Sequence, residues 1–173
     1  MLKTNKQWIF IILLVIIAMI VFIKWREYYY KKLLHTDTLT QIPNKQYFMK
    51  TAEKILDNNS DKSYLLTSLD ASNFKLINER FGHIVGDQTL MNIAKNIKSK
   101  FHKNGLYARS QSDSFLILVE DTSQNRELLK SLVDLDISIH NTTNYKVPLK
   151  IGVCPILRYN PALSLSLYID RAN

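Results

Sequence analysis

The sequence predicts a helix-covered sheet of the α/β or α+β class, preceded by one membrane-spanning helix. Three observations predict it. After residue 36, compact apolar runs of strand length alternate with amphipathic stretches of helical length. Two of the apolar runs, 106–109 and 115–119, stand on either side of a polar tip, the pattern of a hairpin. Ahead of all of these come sixteen residues, 8–23 (WIFIILLVIIAMIVFI), with no charged or polar side chain.

As a helix, residues 8–23 span roughly 24 Å, a little short of a hydrocarbon core of about 30 Å. Trp8 and Trp25 suit the two interfaces, and Lys6, Lys24 and Arg26 can snorkel outward. A cleaved signal peptide would need small residues after the run, and Ile23, Lys24 and Trp25 offer none. A buried core helix is the competing reading, but apolar residues on every face suit lipid better. Four Lys/Arg follow the run and two precede it, which places the C-terminal side in the cytoplasm, the anchor being single-pass in the inner membrane. Tyr28, Tyr29, Tyr30, Leu33 and Leu34 continue the helix as a short stalk, so residues 1–35 form an anchor unit.

Residues 36–44 (TDTLTQIPN) carry cap and turn residues and end the stalk. Residues 45–56 read as a helix with Tyr47, Phe48, Ala52, Ile55 and Leu56 on one side; 57–62 is a polar loop. Residues 63–69 (SYLLTSL) form a buried strand with Asp70 at its end. Residues 74–81 and 87–101 read as helices, broken near Gly82 and Gly86. The hairpin follows, then a helix over 127–135, a strand over 146–154 that stops before Pro155, and a helix from 163 with no stop before Asn173.

Composition narrows the partners. One cysteine, Cys154, excludes an intrachain disulfide and a Cys-based zinc site. The net charge of +8 would suit nucleic acid or a membrane surface. Its distribution decides: residues 1–36 carry a net +5 around the apolar run, and residues 37–173 a net of only +3. The excess marks the anchor, and no nucleic-acid partner is expected. His35, His83, His102 and His140 show no metal spacing.

Acidic residues at strand ends are the candidates for chemistry. If the strand ending at Asp70 neighbours the hairpin, Asp70 and Asp113 meet at one edge as hard oxygen ligands, suited to Mg²⁺ on a nucleotide triphosphate. A capping Asp followed by a turn Asp explains the same spacing. Ser114 has no positioned histidine to activate it as a nucleophile.

Longer patterns go further. Asp37-Thr-Leu-Thr-Gln-Ile-Pro-Asn44 resembles the D-x-L-T-G-L-x-N opening of GGDEF domains. Residues 70–87 (DASNFKLINERFGHIVGD) resemble the D-x-D-x-F-K-x-I-N-D-x-x-G-H-x-x-G-D block of that family. Arg109-Ser-Gln-Ser-Asp-Ser-Phe115 occupies the place of R-L-G-G-D-E-F. Ile151-Gly-Val is similar to the S-I-G-V strand, and Asp170-x-Ala172 to the start of the A-D-x-A-L-Y helix. The resemblance runs over about residues 36–173. It implies an α+β sandwich with a central, mostly antiparallel sheet, related to adenylyl cyclases and polymerase palms. It also implies synthesis of cyclic di-GMP from two GTP molecules by facing domains of a homodimer. Asp70 and Asp113 would be metal ligands, with Mg²⁺ as cofactor when GTP is bound. Asn78 and Asp87 would recognise guanine, matching its acceptor and donor edge. Lys75 would lie near the phosphates. The residues alone also allow a helix-surface Asn at 78 and a helix N-cap at Asp87.

The departures point away from turnover. Gln111 and Ser112 replace the two glycines that bring backbone close to phosphate, so side chains there should obstruct GTP or distort the hairpin. Ser114 replaces the signature Glu, Ser72 the second Asp of D-x-D, and Glu79 the Asp after Asn78. His102-Lys-Asn-Gly105 stands where the inhibitory R-x-x-D motif would fall. The family's last helix is expected to be missing, so 36–173 would be a degenerate domain cut short. The expected function is a membrane-anchored, catalytically impaired GTP-sensing or regulatory module, with an EAL phosphodiesterase domain or protein as a candidate partner. An active diguanylate cyclase and an interaction domain without nucleotide are the alternatives.

Overall fold

The computed structural model describes residues 2–133 and 146–172. It divides into two units, residues 1–35 and 36–173. The first is one helix, α1 (Leu2–His35). Its segment Gln7–His35 reaches a mean hydropathy of 2.8, long and apolar enough to cross a membrane. Every side chain from residue 7 to 31 is exposed, so α1 has no face turned to a protein core. Trp25 stacks between Phe22 and Tyr29, with centroids 6.3 and 5.7 Å away.

The second unit is built on four strands: β1 (Tyr64–Ala71), β2 (Gly105–Gln111), β3 (Ser114–Glu120) and β4 (Leu149–Ile156). Their order is β2-β3-β1-β4, and every neighbouring pair is antiparallel. Among the described residues five helices cover this sheet: α2 (Lys45–Asn58), α3 (Phe74–Phe81), α4 (His83–Phe101), α5 (Ser123–Val133) and α6 (Leu165–Ala172). Alternation along the strands sorts the two faces. Leu65, Leu69, Phe115, Ile117 and Val119 pack with Ile77 of α3, Ile93 and Ile97 of α4 and Leu132 of α5. Leu66, Leu116 and Leu118 pack with Phe48 and Leu56 of α2 and Leu165 and Ile169 of α6. The central strands β1 and β3 are apolar on both faces because both faces are covered.

Three expectations change. Gly86 does not break a helix: α4 begins at His83 and carries Gly86 in its second turn, so Asp87 is an interior helical residue rather than an N-cap. The break is Gly82 alone, at φ +84°, where a left-handed residue joins two helices without a loop. Pro155 lies inside β4, paired with Leu65. Among the described strands β4 lies at the edge of the sheet, where the missing N–H can face outward at no loss to the ladder. β1 runs through Asp70 to Ala71, so Asp70 belongs to the strand. Boundaries shift as well: α5 starts at Ser123, β4 at Leu149 and α6 at Leu165. The expected helical positions 134 and 135, His140 and Asn173 lie outside the described residues.

Candidate functional site

A brace holds the end of the sheet where β1 meets the β2–β3 hairpin. The backbone of Asp37 bonds both ways within its turn, from its N–H to Ile42 (2.9 Å) and from Gln41 N–H to its carbonyl (3.0 Å). The Asp37 carboxylate oxygen Oδ1 accepts from Thr40 N–H (2.8 Å), Thr40 Oγ1 (2.6 Å) and Arg109 Nη1 (3.1 Å). Burial alone would raise this carboxyl; the bonds from Thr40 and the guanidinium of Arg109 outweigh it and hold the pKa below the ordinary aspartate value. Arg109 donates with its other nitrogens, Nε (2.9 Å) and Nη2, to the Ser112 carbonyl. One guanidinium thus ties the turn at 37–44 to the hairpin tip.

That tip closes in spite of its lost glycines. Ser112 adopts φ +48° and Gln41 φ +57°, both left-handed, at two positions where the D-x-L-T-G and R-L-G-G-D-E-F patterns have glycine. The backbone path is kept although the residue best suited to it is gone. A bulge between Arg109 and Gln111 turns the strand into the tip.

A cavity of about 460 Å³ opens beside the tip, lined by Ala71, Asn73, Phe74, Lys75, Asn78, Ser112 and Asp113. It brings together four of the residues singled out from the sequence: Lys75, Asn78, Ser112 and Asp113. Asp70 and Asp87 are not in this lining. The first turn of α3 has no side-chain cap, since Asn73 stands at its start in a left-handed conformation. The Phe74 and Lys75 amides are therefore open to water or an anion, while Leu76 N–H donates to the Asn73 carbonyl at 2.9 Å. Lys75 is exposed and makes only a loose 3.8 Å ion pair with Glu79.

Asn78 is placed by a residue that sequence reasoning took for a breaker. A Cβ on Gly86 would stand 1.9 Å from Asn78 Oδ1 and 3.2 Å from Phe74 Cζ. Gly86 is the gap in α4 into which the Asn78 amide fits. A glycine interrupting an otherwise amphipathic helix was the available signal for such a close approach.

Strand register decides the surroundings of Asp70. Its partner on β3 is Ser114, and its partner on β4 is Lys150. Directly opposed side chains share a face, so Ser114, Asp70 and Lys150 form one row across the sheet. Position 114 is where the signature Glu would stand beside Asp70. Among the described residues no three His, Cys, Asp or Glu side chains form a metal-binding group. Asp113 lines the cavity and its carbonyl accepts from Ala71 N–H at 3.3 Å, so the two candidate ligands Asp70 and Asp113 stand at neighbouring strand ends, two hard oxygen donors of the kind Mg²⁺ takes.

Comparison with known proteins shows the family and the fold. The family model described as diguanylate cyclase, GGDEF domain, matches residues 34–172. The diguanylate cyclase TpbB of Pseudomonas aeruginosa is 27% identical over 80% of this chain and 31% of its own length. The cyclic di-GMP phosphodiesterase PdeR of Escherichia coli is 28% identical over 72% of this chain and 18% of its own length. The chain therefore spans less than a third of either relative. The coiled coil and GGDEF domain of DgcB from Caulobacter crescentus, solved with c-di-GMP, superposes with a TM-score of 0.77. That pair is 19% identical and covers 90% of this chain and 85% of the other, so the likeness is one of fold.

Proposed function

The chain belongs to the GGDEF domain family, and from that membership we propose that it is a catalytically impaired member that binds a guanine nucleotide and regulates cyclic di-GMP signalling. The observation that carries the reading is the register of β1 on β3, which sets Ser114 beside Asp70. Cyclase turnover needs charge stabilisation at the transferring phosphate, and a serine hydroxyl at that position supplies none of a carboxylate's metal-holding capacity. The cavity retains what recognition of a nucleotide asks for: the Asn78 amide, the Lys75 ammonium and the open start of α3. Asp87 lies one turn beyond the start of α4 and is exposed, available to a guanine that enters between α3 and α4.

In this reading α1 anchors the domain in the inner membrane with residues 36–173 on the cytoplasmic side, supported by the Lys/Arg excess after the apolar run. Its partner is a second copy or an EAL-type phosphodiesterase; the similarity to a named cyclic di-GMP phosphodiesterase supports the latter context. The full chain incubated with GTP and Mg²⁺ is expected to form no cyclic di-GMP, and clear production by chromatography would show an active cyclase instead. Calorimetric titration with GTP is expected to give a binding isotherm that Asp87→Ala weakens. Absence of heat from the unmodified chain would favour an interaction domain without nucleotide.

A further inference from the structure

Just beyond its apolar run, α1 carries a group of polar side chains on one side. A shallow hollow of about 560 Å³ there is lined by Arg26, Glu27, Tyr30, Lys31 and Leu34. Residues three and four apart share a helix face, so Glu27, Tyr30, Lys31 and Leu34 form one stripe, and Arg26 lies one turn before Tyr30. Lys24 stands 3.8 Å from Glu27 and offsets its charge. Arg26 and Lys31 are exposed and enter none of the ion pairs found among the described residues, so two cations flank the hollow uncompensated. Tyr30 is exposed between them and offers a phenol O–H.

Depth along the helix decides what can meet these groups. The apolar run ends at Ile23, and Arg26 and Lys31 follow it by about 4.5 and 12 Å along the axis. The two cations are therefore about 7.5 Å apart in depth, close to the headgroup layer of one leaflet, about 5–7 Å. Trp25, Tyr28, Tyr29 and Tyr30 belong to the same level, where aromatic belts sit. We propose that Arg26, Tyr30 and Lys31 form a binding site for the headgroup phosphate of an anionic phospholipid. The Arg26 guanidinium suits the two phosphate oxygens as a bidentate donor, Tyr30 O–H adds a third bond, and the Lys31 ammonium closes the site from the water side. The net charge of the four ionisable groups Lys24, Arg26, Glu27 and Lys31 is positive, which favours an anionic over a zwitterionic headgroup. The proposal rests on the reading of α1 as a membrane anchor and specifies the lipid it selects.

The test is tryptophan quenching in phosphatidylcholine vesicles holding the full chain with Trp8→Phe, so that Trp25, next to Arg26, reports alone. Acyl-brominated phosphatidylglycerol or phosphatidylcholine is added as the quencher. The brominated phosphatidylglycerol is expected to reach Trp25 with an association constant about fivefold or more above that of the choline lipid. Arg26→Gln with Lys31→Gln is expected to bring this ratio to about one. Lys3→Gln with Lys6→Gln removes the same charge from the other side of the run and is expected to leave the ratio unchanged, as is added inorganic phosphate. Because α1 turns no face to a protein core, the helical circular dichroism of all variants should coincide. Equal quenching by the two lipids would overturn the proposal and leave the anchor reading standing. An equal loss from the Lys3 and Lys6 pair would overturn it as general charge attraction, and displacement by phosphate would overturn it as an unselective anion patch. No quenching by either lipid would remove the anchor reading itself, and this proposal with it.

Discussion

The hairpin tip and the α3–α4 corner form two ends of one site, and they have diverged by different amounts. At the tip, both motif glycines and the signature Glu are replaced, by Gln111, Ser112 and Ser114. At the corner, Asn78, Gly82, Gly86 and Asp87 all remain, and Gly86 still opens the gap that the Asn78 amide fills. The tip nevertheless keeps its backbone: Ser112 accepts the left-handed turn, and Arg109 holds its carbonyl. The end of the site that would bind the base thus keeps Asn78 and Asp87, with Glu79 its one replaced acid, and the end that would handle phosphate chemistry is intact only in backbone. The difference teaches that a turn can outlast its chemistry, because a bridging guanidinium can hold a loop that its own residues disfavour.

The largest effect should come from removing that guanidinium. Arg109→Ala deletes the bonds to Asp37 and Ser112 and leaves a mostly buried carboxylate unpaired. Urea denaturation is expected to show a loss of about 2 kcal/mol, and an unchanged midpoint would mean that the tip holds itself. The corner should respond in the opposite way. Gly86→Ala displaces the Asn78 amide and presses lightly on the Phe74 ring while raising helix propensity, so stability should stay within about 1 kcal/mol of the original. GTP affinity should fall about tenfold, as it should for Asn78→Ala, and the double variant should be no worse than either single one. Additive losses would show that Gly86 acts apart from Asn78.

Acid sharpens the account of the brace. The Asp37 carboxyl is held below its ordinary value, so its contribution is complete above the unfolded value of about 3.9 and is lost as pH falls through the lower, folded value. Asp37→Asn should therefore flatten the stability profile only below about pH 4. A difference between the two proteins that varied between neutral pH and pH 5 would assign the linkage to another group. The smallest effect belongs to the turns: Ser112→Gly and Gln41→Gly each relieve a left-handed backbone and should stabilise by about 0.5 kcal/mol, seen as a small rise in Tm.

Much of this was legible in order along the chain. The α3 boundaries, 74–81, follow from apolar spacing between turn residues, and the hairpin follows from two apolar runs around a polar tip. Gly86 and Pro155 misled because their usual effects presume an ordinary setting. Gly86 is excused by a side chain packed against it, and Pro155 by its place on an edge strand. The pairing of Asp37 with Arg109 joins residues 72 apart, beyond the reach of local pattern.

Sequence by itself determined the apolar helix, the alternation of strands and helices, the family pattern and the list of replaced motif residues. These are properties of single segments, read from hydrophobic period, charge and residue type. Tertiary structure alone decided the neighbours. Strand alternation tells which residues share a face, while register tells which stand side by side, and register is set by the burial of both faces of a sheet made from distant segments. That register put Ser114 on one side of Asp70 and Lys150 on the other, and so showed which replaced position stands beside the candidate carboxylate.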